Sequence, residues 1–253
     1  MTRQLLSAGA LLLALGLGGL PAAGEDKKDS KDDKKWTALF NGKDLTGWKL
    51  PDKPNEGAIK EVVPVEKGGK VVAYEGKLKN DTQVPLWRVE DGILIGSGPA
   101  SHLFSEKGDY TNFRYRVEAM INDHGNSGQY FRARFGGGFP KGYEAQINAT
   151  HSDDIRTGSL YPSFGLSKAD AIKEKILVLD DAPHKPDEWF TQEVIAEGNH
   201  IVIKVNGKTT VDWKDPKETY LKGHFALQGH DPGTVVKFRK VEVIELPAPK
   251  DEK

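Results

Sequence analysis

Apolar and polar residues alternate along much of the chain. The clearest run is 112–121, in which every second residue from Phe113 to Ile121 is apolar and those between are mostly polar. Successive side chains of a β-strand point to opposite faces, so this run predicts a strand with one face in a core. Shorter runs of the same kind recur between Gly, Pro, Asn and Asp residues. Many short strands with frequent turn signals predict an all-β sandwich or barrel.

Two dipeptides predict where the chain reverses tightly. Asn206-Gly207 and Asp91-Gly92 each stand between two β-like runs. Both residues of a type I′ turn need a positive φ, which Asn, Asp and Gly tolerate best. The sequence therefore predicts a two-residue hairpin at each place.

Two long segments, 51–85 and 152–186, do not follow the strand pattern. The first is rich in Lys, Glu, Gly and Pro, with one short β-like piece at 70–74. The second contains the main plausible helix, within 166–179. Long loops of compact domains are usually functional or disordered. We therefore predict two excursions beside the sandwich, and their part in shaping a site is left open.

The N-terminus has the pattern of an export signal. A positive start at Arg3 precedes an apolar run over 5–20 and then small residues up to Gly24. The run is shorter than the ~20 residues of a membrane-spanning helix, so we predict a signal peptide over 1–24, with a retained N-terminal anchor as the alternative. A charged, disordered linker over 25–35, one folded domain over 36–247 and a tail over 248–253 would follow. We expect a periplasmic or secreted protein without membrane attachment after signal cleavage.

Composition excludes several function classes. The chain has no cysteine, which excludes disulfides, thiolate metal sites and a cysteine nucleophile. Lys and Arg number 36 against 37 Asp and Glu, so no overall field favours nucleic acid. Phosphate-binding glycine loops, zinc-protease helices, calcium-binding loops and serine-hydrolase elbows have no matching motif in the sequence.

Strand parity places a set of polar residues on one face of a sheet. A glycine-rich link, 136–142, predicts a hairpin between the runs 129–135 and 143–149. If the hairpin closes evenly, Arg134 lies opposite Glu144, and Arg132 lies opposite Gln146. A slip by two residues would change these partners and keep the face.

A third run, 224–230, adds to the same face. The predicted polar set is Arg132, Arg134, Glu144, Gln146, Asn148, Gln228 and His230. Such planar, hydrogen-bonding side chains suit a ligand with many hydroxyl groups. An ordinary solvated sheet face would also carry Arg and Glu, but it would be expected to carry lysine, which this set lacks.

The start of the predicted domain, 39–48 (LFNGKDLTGW), resembles the opening motif of the 3-keto-disaccharide hydrolase family. Further segments resemble the family's motifs in the same order and span nearly all of the predicted domain. They lie at 87–92, 108–113, 125–128, 142–147, 157–161, 187–189, 205–207 and 227–230. Each motif alone is weak, but their order is specific. One departure is Gly229, where the family often has Asp.

The resemblance implies a concanavalin A-like jelly-roll sandwich of two antiparallel sheets, in agreement with the strand pattern. It also implies an enzyme that acts on 3-keto-glycosides or 3-keto-disaccharides. A C3 carbonyl acidifies the hydrogen on C2, so a base there would allow the C1 substituent to be eliminated, and water could then add. The interpretation assigns Glu144 and His230 as the acid–base pair.

The remaining candidates would bind substrate. Arg132 and Gln146 would hold the keto oxygen and the ring hydroxyls, and Tyr161 would stack on the sugar or donate a proton. Further substrate-binding candidates are Arg134, Asn126 and Gln228. A divalent metal at the keto oxygen is left open, with Glu144, His230 and Asn126 as conceivable ligands and no spacing rule in support. The implied partners are a sugar or keto-sugar ligand and an upstream sugar 3-oxidoreductase.

Two alternatives remain open from the sequence. The two-carboxylate glycosidase mechanism needs a second acid on the same face, where parity gives only Glu144. A non-catalytic, lectin-like carbohydrate-binding module would use the same polar face without any base. A structural role in the cell envelope is a third, weaker alternative.

Overall fold

The computed structural model describes residues 35–54 and 57–248. The signal peptide predicted over 1–24 lies outside these residues, as do nearly all of the predicted linker over 25–35 and tail over 248–253, so these remain predictions. No helix among the described residues has the length and apolar character needed to cross a membrane.

The described chain is built almost entirely of strands, as predicted. The elements in chain order are β1 (Thr37–Ala38), β2 (Trp48–Lys49), β3 (Ile59–Lys67), β4 (Lys70–Leu78), β5 (Gln83–Glu90), β6 (Ile93–Gly96), β7 (Ser101–Ser105), β8 (Phe113–Ile121), β9 (Ser127–Ala133), β10 (Tyr143–Ile147), a 3-10 turn (Pro162–Phe164), α1 (Lys168–Lys173), β11 (Phe190–Glu197), β12 (His200–Val205), β13 (Lys208–Lys214), β14 (His224–Gly229) and β15 (Val236–Glu245).

The strands form two antiparallel sheets, which confirms the predicted jelly-roll sandwich. The larger sheet has ten strands in the order β13-β12-β11-β8-β15-β6-β5-β4-β3, with β1 paired to β15. The smaller has five strands in the order β10-β9-β14-β7-β2. Strand β8 shows why the sheets pack: its alternate residues from Phe113 to Ile121 are buried, and the residues between them are partly exposed.

An aromatic core fills the space between the sheets. Phe225 of β14 stacks on Tyr115 of β8 with ring centroids 3.9 Å apart, and it meets Phe113 edge-on at 4.8 Å. Trp87 of β5 stacks near Phe238 of β15, and its indole N–H donates to Ser101 Oγ at 3.0 Å. Because the chain has no cysteine, burial of such side chains supplies the main cohesion of the sandwich.

Both tight hairpins occur as predicted. Asn206 and Gly207 have φ values of 48° and 79°, and Asp91 and Gly92 have 48° and 78°. These are the two positive angles that a type I′ turn requires.

The prediction that 51–85 forms an irregular excursion is wrong, because most of this segment forms strands. Strands β3, β4 and the start of β5 form an antiparallel meander that extends the larger sheet at one edge. Register shifts interrupt the β3–β4 and β4–β5 ladders, so the apolar residues do not keep a strict period of two. That irregularity, added to the many charged residues, hid the strands. The other excursion is irregular as predicted, with the short helix α1 inside the predicted segment.

Candidate functional site

The outer face of the smaller sheet carries a cavity of about 260 Å³. The alternate residues of the same strands, such as Phe131, Tyr143 and Leu227, pack into the core between the sheets. The cavity is lined by Asn126, Tyr130, Phe139, Glu144, Gln146, Tyr161, Ser163, Gln228 and His230. Six of the eight residues that the sequence predicted for the site are therefore together in one cavity.

Glu144 lies at the floor of this cavity with only 4% of its surface exposed. Its backbone on β10 pairs directly with Tyr130 on β9, which brings both side chains to the same face. The Tyr130 hydroxyl donates a hydrogen bond of 2.7 Å to Glu144 Oε2, and Gln228 Nε2 donates to the Tyr130 hydroxyl at 3.4 Å. Gly128 makes room for the carboxyl, because a Cβ there would lie 2.3 Å from Glu144 Oε1.

Burial raises the pKa of Glu144 from 4.5 to about 8. The hydrogen bond from Tyr130 favours the ionised form and lowers the pKa, while the nearby charge of Asp153 raises it. The loss of hydration outweighs the single hydrogen bond, because burial penalises the charged form of a carboxyl. A carboxyl with a pKa near the working pH can take up or release a proton at low cost.

His230 follows the end of β14 and is paired with its neighbour. Its Nδ1 lies 2.9 Å from Asp231 Oδ2. The Asp231 carboxylate also accepts from Thr234 Oγ1 at 2.9 Å and from the Gly233 N–H at 2.8 Å. Because the Asp231 carboxylate accepts a hydrogen bond, the hydrogen of the neutral ring lies on Nδ1 and the ring orientation is fixed. Nε2 is then the ring nitrogen that can exchange a proton with a ligand.

Two amide oxygens at the cavity have no hydrogen-bond partner among the described residues. Asn126 Oδ1 and Gln228 Oε1 are both buried and unpaired. A buried acceptor without a donor is costly, and a ligand that brings hydroxyl donors would remove that cost. Gln146 accepts from the Ile147 N–H with its Oε1 at 3.2 Å, which leaves its amide NH₂ group for a ligand.

The cavity is walled by aromatic and loop residues. Phe139, from the glycine-rich link between β9 and β10, is 62% exposed and packs against the rings of His102 and His230 at 5.6 and 6.0 Å. Tyr161 also lines the cavity: its hydroxyl donates to Asp153 Oδ2 at 2.9 Å, and its N–H donates to the Glu144 carbonyl. Burial, together with the hydrogen bond to Asp153 and the nearby charge of Glu144, raises the pKa of the Tyr161 hydroxyl and keeps it protonated.

The predicted placement of Arg132 and Arg134 on this face is wrong. Glu144 pairs with Tyr130 instead of Arg134, a shift of four residues from the even closure. In addition, β9 bulges opposite Phe225, and Arg132 there has a φ of 51°. A bulge re-aims the side chains that follow it.

The two arginines consequently serve other surroundings. Arg132 is buried and donates to the carbonyls of Thr111 and Tyr220 at 2.5 to 3.1 Å. Burial lowers its pKa to about 10. Arg134 is exposed and borders, together with Arg132, a separate depression at the end of the sheet.

The clearest group of metal-ligand atoms among residues 35–54 and 57–248 is His151, His230 and Asp231, whose ligand atoms lie within 4.8 Å of one another. Of the conceivable ligands named from the sequence, only His230 belongs to it. His151 Nδ1 already accepts from the Asp153 N–H at 3.1 Å, and both Asp231 oxygens are occupied. These hydrogen bonds compete with a metal ion for His151 Nδ1 and the Asp231 carboxylate, whereas no hydrogen bond is made by Nε2 of either histidine among the described residues.

Several residues in the cavity or next to it escaped the sequence prediction. Tyr130 shares the parity of the predicted set, so the alternation could have identified it. His102 lies on β7, directly opposite Gln228, in a strand the pattern did not reveal. Its burial, together with the charge of His230, lowers its pKa to about 3 and keeps the ring neutral. Phe139 and Asp231 stand in loops, where no period marks them.

Comparison with known proteins identifies one matching family and several solved structures of similar fold. Residues 35–244 match the family described as 3-keto-alpha-glucoside-1,2-lyase-like domain. No curated protein matches the sequence. Among solved structures, a "putative glycosyl hydrolase" of Parabacteroides distasonis ATCC 8503 is 21% identical with a TM-score of 0.55, over 84% of this chain and 94% of that one.

Two further structures share the architecture. A second "putative glycosyl hydrolase" of the same organism is 18% identical with a TM-score of 0.52, over 84% of this chain and 100% of that one. The laminarinase from Rhodothermus marinus is 12% identical with a TM-score of 0.50, over 84% of this chain and 98% of that one. At these identities the likeness concerns the fold.

Proposed function

The chain belongs to the family of 3-keto-alpha-glucoside-1,2-lyase-like domains, and from that premise we propose that it cleaves the glycosidic bond of 3-keto-glycosides by elimination across C1 and C2. The observation that carries the proposal is Glu144, a buried carboxyl with a pKa of about 8 in a cavity of hydrogen-bonding groups. Water would then add to the product. Export from the cell and an upstream enzyme that oxidises the C3 hydroxyl of the sugar belong to the same proposal.

The reaction needs a base, a proton donor and a place for negative charge. The base removes the hydrogen on C2, and the electron pair moves into an enolate whose charge sits on the C3 oxygen. When the carbonyl re-forms, a C1–C2 double bond forms and the C1–O bond breaks. The leaving oxygen takes a proton from an acid, and addition of water, with its oxygen on C1 and a hydrogen on C2, gives the free 3-keto sugar.

Glu144 is the base in this proposal. A base is most effective when its pKa is close to the working pH, since a stronger base would be protonated and a weaker one would not remove the hydrogen. The raised pKa of Glu144 fits this requirement better than the value near 4.5 of an ordinary carboxylate. The hydrogen bond from Tyr130 to Oε2 fixes the carboxyl and leaves Oε1 for the C2 hydrogen.

His230 is the acid. It lies on the wall of the cavity, and Asp231 at 2.9 Å holds the ring and stabilises it when it is charged. After the proton has left, the same ring can accept one from the water that adds to C1. Asp231 is therefore a positioning residue, comparable in logic to a carboxylate that orients a catalytic histidine.

The amide groups of the cavity hold the ring. The NH₂ group of Gln146 would donate to the enolate oxygen. The sequence predicts this role for Arg132 and Gln146 together, but Arg132 donates to the Thr111 carbonyl instead. Asn126 Oδ1 and Gln228 Oε1 would accept from sugar hydroxyls. Tyr161 and Phe139 present ring surfaces to the sugar's C–H face.

The test compares 4-nitrophenyl 3-keto-α-glucoside with the unoxidised 4-nitrophenyl α-glucoside. The wild type should release nitrophenol from the keto compound only, because the C2 hydrogen is acidic only beside a carbonyl. Glu144→Gln should lower kcat/KM by at least about 100-fold, and the surface variant Glu61→Gln should leave it unchanged. Equal release from both glucosides would contradict the elimination mechanism.

A carbohydrate-binding module without catalysis is the second candidate, and the two unpaired amide oxygens favour it equally. The same experiment separates the two functions. Binding of the keto-glucoside by calorimetry, with no release by the wild type and equal affinity in Glu144→Gln, would establish the binding module and refute the enzyme.

A further inference from the structure

A second cavity of about 490 Å³ adjoins the candidate site and shares one wall with it. The shared residue is His230, which lines both cavities. The second cavity is formed by the end of the β3–β4–β5 meander, the β6–β7 turn and the loop after β14. Its residues are Ala58, Leu78, Lys79, Asn80, Pro99, Ala100, His230, Asp231 and Pro232.

The lining of the second cavity is mainly apolar. Ala58, Leu78, Pro99, Ala100 and Pro232 contribute only carbon atoms from their side chains. Among the polar side chains, Lys79 and Asn80 are exposed, and Asn80 Oδ1 accepts from the Thr82 N–H. The Asp231 carboxylate is occupied by His230, Gly233 and Thr234.

The backbone fixes these apolar residues in place. Leu78 pairs with Ile59 at the end of β4, and its N–H donates to the Thr82 carbonyl at 2.8 Å across the turn. The turn before Pro99 needs Gly98, which has a φ of 77° and would place a Cβ 2.1 Å from the Pro85 carbonyl oxygen. The cavity is thus preformed by the meander that the sequence pattern concealed.

We propose that the second cavity binds the leaving group of the substrate and that it selects apolar aglycones, aryl or arylalkyl, over a second sugar. The inference rests on the proposed function. If His230 protonates the glycosidic oxygen, the 3-keto ring lies on one side of His230 and the leaving group on the other. A leaving sugar needs several hydrogen-bond partners around its ring, and beside His230 the lining offers only the exposed side chains of Lys79 and Asn80, whereas an apolar ring would gain from leaving water against the five apolar residues.

The test uses two substrates with leaving groups of similar basicity, ethyl and 2-phenylethyl 3-keto-glucoside. The wild type should show a kcat/KM at least about tenfold higher for the phenylethyl compound, from burial of the phenyl ring. Leu78→Ser, which removes apolar surface, and Ala100→Phe, which fills the cavity, should each bring this ratio close to one. In both variants kcat/KM should fall more for the phenylethyl compound than for the ethyl compound, because the ethyl group reaches less of the altered surface.

The control is Leu221→Ser, at an exposed leucine that lines neither cavity. It should keep the wild-type ratio. Equal kcat/KM for both compounds in the wild type, or a 3-keto-disaccharide preferred to the phenylethyl compound, would overturn the inference and leave the proposed function intact.

Binding distinguishes the two proposals when turnover fails. Calorimetry of the same pair of compounds with Glu144→Gln reports the second cavity without catalysis. Tighter binding of the phenylethyl compound that is lost in the double variant with Leu78→Ser supports the leaving-group cavity even if no compound is cleaved. Equal affinity for both compounds refutes it.

Discussion

Glu144→Gln should make the stability of the fold less dependent on pH between about 4.5 and 8. The carboxyl of the unfolded chain ionises at its ordinary pKa of 4.5, whereas the folded protein keeps Glu144 protonated up to about pH 8. The folded state binds the extra proton in this interval, so the wild type loses stability as the pH rises through it. The contribution is complete below pH 4.5 and lost above about 8.

The size of the effect follows from the shift. At 1.36 kcal/mol per pKa unit, a change from 4.5 to about 8 corresponds to at most about 5 kcal/mol. Rearrangement around the ionised carboxylate should reduce the measured loss to about 2–4 kcal/mol. Glutamine is uncharged and of nearly the same shape, so the variant should lack this component altogether.

Urea unfolding at intervals from pH 5 to 9 measures the effect. The free energy of unfolding of wild type minus Glu144→Gln should fall steadily with pH and level off above about 8. Glu61→Gln, at an exposed position of β3, should give a flat difference and serves as the matched control. A difference curve for Glu144→Gln that is flat, or that rises with pH, would refute the argument that burial holds this carboxyl protonated.

Three further predictions concern single side chains. Gly128→Ala should lower kcat/KM about 100-fold by displacing the Glu144 carboxyl, while thermal unfolding shows a stability loss under about 2 kcal/mol; unchanged kinetics would contradict the contact. Asp231→Asn should lower kcat about 100-fold with KM little changed and alter the pH–rate profile, whereas a purely structural role would change stability and leave the profile as it is. Arg132→Met should cost about 2–4 kcal/mol in urea unfolding, because two buried carbonyls lose their donor; a large loss of kcat instead would return Arg132 to the site.

Strand parity explains how much of the candidate site the sequence could predict. Glu144 and Gln146 are two residues apart on β10 and therefore point to the same face of the sheet, and Gln228 on β14 points to that face as well. An even register shift preserves the face of every side chain, so these predictions of placement survive a pairing that differs by four residues. Their chemical roles remain proposals.

The arginines could not be placed in this way, because a bulge is not visible in the alternation. One extra residue on β9 and a positive φ at Arg132 reverse the parity beyond it. Ala133 accordingly joins Phe104, Tyr130 and Ala226 on the outer face of the small sheet rather than the core. A non-glycine residue with positive φ carries no signature in a single sequence.

The meander and the loops escaped for a different reason. Strand β3 is the edge strand of the larger sheet and β4 lies next to it, and the side chains of both are mostly half-exposed or exposed. Edge strands tolerate charged residues, so the apolar pattern weakens where burial does. Phe139 and Asp231 belong to loops whose conformation depends on tertiary contacts, and only the structure places Phe139 at the candidate site and Asp231 in the lining of the second cavity.

The fate of a deuterium label on C2 of 4-nitrophenyl 3-keto-glucoside tests the central claim most directly. Removal of the C2 hydrogen by Glu144 predicts that the sugar product has lost the label to solvent, as mass spectrometry would show, under conditions in which labelled product incubated alone keeps it. Cleavage with the deuterium fully retained on C2 and with no primary isotope effect on kcat/KM would mean that the bond at C1 breaks without proton abstraction, which would contradict the role of Glu144 as the base.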